Sequence, residues 1–155
     1  MDQQKSLLKL QQLCQLDIDA IGTYDAALAR VSDDEVKTRL QEFRIDHVRH
    51  VQDLNALIVK MGGDPLGLDQ QDLKGRALSG LTRVTSALGT EAALIAMYGN
   101  EQLTTRTYQD ALKQELEPEA RELVEKNFGD EKRHLDWIRH AARSRLWERR
   151  GEAHV

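Results

Sequence analysis

A single cysteine, Cys14, is all the thiol this chain of 155 residues contains. That excludes an internal disulfide and any paired-cysteine iron or zinc knuckle. Prolines number two and aromatic residues make up 5%, so both the turn-formers and the strand-formers of a β-sandwich are scarce, and the balance leans towards helix. A basic excess is missing as well. The formal charge of -4 offers no electrostatic footprint for nucleic acid. The one local concentration of positive charge, Arg143, Arg145, Arg149 and Arg150, reads as a solvated helix end rather than an anion-binding patch. No apolar run approaches the roughly 20 residues of a membrane span. Met1–Leu10 lacks the apolar stretch and small-residue cleavage site of a secretory leader. The expectation is a soluble cytoplasmic protein without nucleic-acid or membrane partners.

What is present is 40% hydrophobic and 31% charged, laid out in four long stripes with apolar spacings of three and four, the periodicity of amphipathic helices. The first runs Leu10, Cys14, Asp17, Ile21, Tyr24, Leu28, Val31. The second runs Val36, Leu40, Phe43, His47, His50, Leu54, Leu57, Met61. Leu94, Tyr98, Glu101, Thr105, Tyr108 and Leu112 form the third, and Val124, Asn127, Glu131, His134, Ile138 and Ala141 the fourth. Ser32 and Glu35 are spaced as a capping box opening the second helix. Gly62-Gly63-Asp64-Pro65 closes it, and Pro118 suits the first turn of the fourth. The connections near Val31–Asp33 and Leu116–Glu117 are short, so each joins antiparallel neighbours. Between Gly63 and Gly89 lies a long crossover with a shorter helical stretch, about Leu73 to Leu88. The fold expected is an all-α antiparallel four-helix bundle over residues 1–147, with a short fifth helix in the crossover and a flexible tail over 148–155.

The chain also repeats itself at an offset of 84 residues. Tyr24-x-x-Ala27-Leu28 returns as Tyr108-x-x-Ala111-Leu112, and Asp46-His47-Val48-Arg49-His50 returns as Asp130-Glu131-Lys132-Arg133-His134. Under the same offset Asp17 falls on Glu101.

Asp17, His47, His50, Glu101, Glu131 and His134 interrupt the seams where a bundle wants leucine. A buried, unpaired carboxylate costs several kcal/mol, so six ionisable groups on inward seams, three of them carboxylates, need compensation. Mutual pairing into a polar layer is one solution; a cation is the other. Spacing favours the cation. His47 and His50 are three apart, as are Glu131 and His134, so each pair projects from one helix face. Asp17 to His47 and Glu101 to Glu131 are both 30 residues, which returns the second helix of each hairpin to the same height. One carboxylate from each of two helices, with paired ligands three apart on the other two, is the scheme of di-iron carboxylate bundles.

The stretch Asn100-Glu101 … Asp130-Glu131-Lys132-Arg133-His134 resembles the ferritin-like superfamily, including rubrerythrins and di-iron oxygenases with an Asp-Glu-x-Arg-His signature. The likeness extends from about Leu7 to Leu146 and is nearest to a small group of bacterial ferritin-like proteins described only as a domain of unknown function. It implies a ferritin-like bundle of two helical hairpins joined by a long crossover. Asp17 and Glu101 would be terminal ligands, His50 and His134 would each hold one metal, and Glu131 would bridge. Asp46 and Asp130 would orient the far histidine nitrogens, and Arg49 and Arg133 would balance their charge. His47 departs from the pattern, which wants a second bridging glutamate there. An imidazole is expected to bind one metal through one nitrogen and not to span two ions as a carboxylate does. Asp17 is one methylene shorter than the usual glutamate. Three outcomes stay open: an asymmetric di-iron or iron–manganese centre, a single zinc or iron site, or a metal-free polar layer.

The resemblance implies two iron ions as the cofactor, with zinc or manganese as substitutes and dioxygen, peroxide or ferrous iron as the reactant. Without rubredoxin-type cysteines, peroxidase turnover would need an external electron donor. Metal sequestration, and a structural bundle, are the competing functions. Tyr24 and Tyr108 lie two turns from Asp17 and Glu101, as ring packing or as donors to the cluster. Cys14 reads as a small buried hydrophobe rather than a sulfur ligand. Gly22, Gly99 and Gly129 sit inside helices, either for close packing or to make room for ligands. Trp137 and Trp147 are expected under the crossover or at the contact of a homodimer.

Overall fold

A computed structural model describes residues 3–67 and 89–150. Among the described residues the chain is all helical and has no strand. Four α-helices, α1 (Gln3–Leu28), α2 (Asp34–Lys60), α3 (Gly89–Ala111) and α4 (Pro118–Ser144), are followed by a 3₁₀ turn over Leu146–Arg150. The expected fifth helix, about Leu73 to Leu88, lies outside the described residues, as does the end of the expected tail. α1 packs on α2 and on α3, and α4 packs on α3 and on α2. No described helix is long and apolar enough to cross a membrane.

The termini follow local chemistry, with one change from expectation. α2 is capped by Asp33, not Ser32: Asp33 Oδ1 accepts the Val36 amide at 2.9 Å. A carboxylate one residue further on outcompetes the serine because it both accepts that amide and carries charge into the positive end of the helix. The Ser32 amide instead donates to Thr90 Oγ1 at 3.2 Å, tying the α1–α2 turn to the start of α3. At the other end Gly62 takes φ 89, the left-handed conformation that closes a helix with least strain in glycine. Pro118 stands at the head of α4, where its missing N–H has no partner to lose.

The core is split in two. Leu10, Leu13, Ile18, Leu54, Ile58, Ala120 and Val124 belong to one apolar cluster. Val36, Leu40, Phe43, Leu94, Met97, Ile138 and Trp147 belong to the other. Each fully buried leucine or isoleucine contributes about 1.5–3 kcal/mol by leaving water. Trp147 is thus a core residue, and Trp137 meets Phe43 edge-on at 5.8 Å. The α3 seam buries Leu94, Glu101 and Tyr108 as expected but runs one residue off at the other three positions of the stripe: Met97, Thr104 and Ala111 are buried, while Tyr98, Thr105 and Leu112 are half-buried. Alternate choices at spacings of three and four differ by a fraction of a turn, and packing against two neighbours selected the face with the smaller side chains. Gly99 and Gly129 serve neither expected purpose. A Cβ at either would meet nothing within 4 Å, and both are exposed.

Candidate metal centre

All six seam-interrupting residues, Asp17, His47, His50, Glu101, Glu131 and His134, are fully buried. They meet in one place. α1 supplies Asp17, α2 supplies His47 and His50, α3 supplies Glu101, and α4 supplies Glu131 and His134. The two pairs separated by 30 residues come together, Asp17 against His47 and Glu101 with Glu131 around Thr104.

His47 is central. Its Nδ1 lies 2.6 Å from Asp17 Oδ1 and its Nε2 3.1 Å from Glu101 Oε1. The His50 ring lies 5.4 Å away and the His134 ring 5.3 Å. His50 Nδ1 approaches Asp17 Oδ1 at 3.1 Å, and its far nitrogen lies 2.9 Å from Asp130 Oδ2. His134 Nε2 lies 2.8 Å from Asp46 Oδ2. The support is crossed: the aspartate of each repeat holds the histidine of the other. Arg49 bonds both aspartates, to Asp46 at 3.2 Å and also to Asp130. Arg133 does the same, at 2.8 Å to Asp46 and 3.1 Å to Asp130. The two carboxylates meet the outer nitrogens of the histidine rings, and the two arginines beyond them are partly exposed.

The tyrosines are crossed in the same way. The Tyr24 hydroxyl donates to Glu101 Oε1, and the Tyr108 hydroxyl donates to Asp17 Oδ2 at 2.5 Å. Asn127 Nδ2 in turn donates to the Tyr108 hydroxyl at 3.3 Å. One participant escaped the sequence reading. Thr104 Oγ1 lies 3.1 Å from Glu101 Oε2 and 3.0 Å from Glu131 Oε2. Glu101-x-x-Thr104 has the same three-residue spacing as Glu131-x-x-His134, which is the signal that would have found it.

The repeat is not perfect, and its departures distinguish the two ends. Phe43, which stacks on His134 at 4.3 Å, corresponds to Asn127. Thr104 corresponds to Ala20, and Glu131 to His47. Cys14 stays apart, in the apolar cluster with its Sγ 3.4 Å from Asn55 Oδ1.

Electrostatics follow from burial. Burial alone would depress the histidines, but the carboxylates around them win. Glu131 and Glu101, with the Asp17 hydrogen bond, hold His47 well above its ordinary value. Against the same burial cost, the bonds to Asp130 and Asp17 raise His50 to about 10, and the bond to Asp46 with the nearby Glu101 charge raises His134 to about 9. Burial works against Asp17 ionising, yet His47 and His50 pull it down to about 2. The His134 bond likewise brings Asp46 to about 2. Glu131 goes the other way: burial first, then the Glu101 charge, push it up despite the opposing pull of His47. Burial and the adjacent Glu101 and Asp17 carboxylates keep both tyrosines protonated, well above the usual phenol range.

Among the described residues five buried side-chain atoms have no hydrogen-bond partner, and two of them, Glu131 Oε1 and His134 Nδ1, belong to the six-residue cluster. Both face the interior of the cluster, where Glu131 Oε1 lies 3.4 Å from His50 Nδ1 and His134 Nδ1 lies 3.6 Å from Glu101 Oε1. Orphaned buried polar atoms are rare. Here both are metal-donor types, in two groups of four buried ligands: Asp17, His47, His50 and Glu131, and His47, Glu101, Glu131 and His134. The donor atoms within each group lie within 4.8 Å of one another. The nitrogen and oxygen donors suit a divalent first-row ion. The residues therefore fit a metal.

Fold and site together define an all-α helical protein with a buried histidine–carboxylate cluster that could hold metal ions. By family, the chain belongs to that described as a domain of unknown function (DUF2383), whose model matches residues 5–114. That span includes Asp17, His47, His50 and Glu101 and stops before Glu131 and His134. No match is found among the curated proteins.

Proposed function

We propose that this chain is a ferritin-like antiparallel bundle holding a non-haem metal centre, two iron ions by preference, that reacts with dioxygen or peroxide or oxidises ferrous iron. One observation carries the reading: two four-ligand groups, wholly buried, draw on all four helices and share His47 and Glu131. Asp17 and His50 would hold one ion, Glu101 and His134 the other. Iron would supply reversible electron transfer to the oxidant. The chain's own residues do the rest. The apolar clusters on either side exclude water. Asp46 and Asp130 fix which nitrogen of His134 and His50 faces inward, and such outer partners commonly set metal affinity. Tyr24 and Tyr108 keep protons against Glu101 and Asp17, poised beside the donor atoms.

A second reading has its own support. Without metal, three imidazoles and three carboxylates are already mutually paired, so a structural polar layer is electrostatically self-sufficient. Metal analysis of protein purified from its native host, with an absorbance spectrum after ferrous iron and oxygen, separates the two. Redox function predicts bound iron, a ferric band and peroxide consumption; iron-loaded protein that gives neither band nor consumption defeats it. Sequestration without turnover predicts metal but no catalysis. A solution mass near a monomer or dimer eliminates a mineral-storing shell, and only the dimer mass supports the expected homodimer.

A further inference from the structure

Of the two residues shared by both ligand groups, Glu131 divides its donor atoms between them. Its Oε1 lies 3.4 Å from His50 Nδ1 on the Asp17 side, and its Oε2 lies 3.7 Å from His134 Nδ1 on the Glu101 side. His47, its counterpart in the repeat, does the same with a ring. Nδ1 faces Asp17 Oδ1 at 2.6 Å and Glu131 Oε1 at 3.5 Å, whereas Nε2 faces Glu101 Oε1 at 3.1 Å. The ring is also almost equidistant from the His50 and His134 rings, at 5.4 and 5.3 Å. His50 and His134 are built differently. Each commits its Nε2 to an outer aspartate, at 2.9 and 2.8 Å, and has only Nδ1 left for a ligand. His47 has no outer aspartate, and both its nitrogens point into the cluster.

We infer that His47 is a bridging ligand, giving Nδ1 to the metal held by Asp17 and His50 and Nε2 to the metal held by Glu101 and His134. This rests on the metal-centre reading and departs from the expectation that the imidazole binds one metal through one nitrogen and cannot span two. Coordination at both nitrogens displaces both ring protons to solvent, leaving an imidazolate whose negative charge replaces that of the carboxylate this position lacks. Glu131 and His47 then form the two bridges, one through oxygen and one through nitrogen, and the two sides have unequal surroundings: Asn127 beside Tyr108 on one, Phe43 and Thr104 on the other.

Zinc titration of the full chain labelled with ¹⁵N-histidine tests this directly, zinc being diamagnetic and suited to imidazole. The expected result is two zinc ions per chain, one surviving ring N–H each on His50 and His134, and none on His47. The His47 signals are assigned by their loss in His47→Gln, which should bind one zinc fewer. If two ions bind while His47 keeps a ring N–H, the bridge is wrong and the metal centre stands. A single bound zinc with that N–H retained overturns the bridge equally. If no zinc binds, or Glu131→Ala binds as much as the parent, the metal-centre reading itself falls. The parent spectrum decides the matter even where a variant fails to fold.

Discussion

At the scale of single residues, the site is governed by how each donor is held. Asp46 and Asp130 accept from His134 and His50 and are themselves gripped by Arg49 and Arg133. Asp46→Asn or Asp130→Asn removes the charge that fixes the tautomer while preserving shape. Each should weaken zinc or ferrous iron binding about 10–100-fold, measured by competition with a chromophoric chelator. Unchanged affinity would mean the outer carboxylates serve only the surface arginines. Cys14 makes a contrasting case. Burial, then the Asp17 charge, push its thiol up to about 12, and the nucleophile is the thiolate. Alkylation at pH 8 should therefore be negligible in the folded protein and prompt in denaturant; rapid labelling of native protein would place the thiol elsewhere.

Single helices show where local preference and tertiary demand agree. Asp33 caps α2 through the Val36 amide, so Asp33→Ala should lower stability by about 1 kcal/mol. In a protein of this size that is a fall of roughly 2–4 °C in melting temperature, readable by circular dichroism. Gly129 inverts the sign. It lies exposed in α4 with open space where a Cβ would be, so Gly129→Ala should raise stability by about 0.5–1 kcal/mol through lower unfolded-state entropy and better helix propensity. A loss instead would show that the glycine serves a contact with another molecule. The α3 seam teaches the opposite lesson. Tyr98 and Thr105 match the periodic stripe as well as Met97 and Thr104 do, and only the neighbouring helices choose between them.

For the whole molecule the consequence is a pH dependence of metal-free stability. His50 and His134 are raised to about 10 and about 9, so the folded state holds their protons after the unfolded chain has lost them near the ordinary value of about 6.5. Their contribution is complete below about pH 6.5 and is lost as pH rises through about 9–10. Asp17, at about 2, contributes above about pH 4 and loses that contribution as pH falls through its folded value. In chelator the melting temperature should be highest between about pH 4 and 6.5 and decline on both sides. Metal competes with those imidazole protons, so zinc should move the optimum upwards and stabilise most above neutrality. A flat profile in chelator would mean the histidines are neutral in the fold. Glu131→Ala should have two effects: loss of zinc stabilisation, and a fall in metal-free stability as well, because His47 and His50 lose a buried carboxylate partner.

What the sequence determined unaided is a matter of period and spacing. Helix follows from apolar residues recurring at three and four, the interruptions mark the six polar seam residues, and the 84-residue offset pairs Asp17 with Glu101 and His50 with His134 before any coordinates are needed. These are one-dimensional quantities, set by the geometry of a single helix. Tertiary structure decided everything that depends on which atom faces which. Asp46 holds His134 rather than its own neighbour His50, Thr104 joins the carboxylates, and His47 turns one nitrogen to each half. A ring's orientation is set by the helices packed around it, and residue order along one helix carries no information about that.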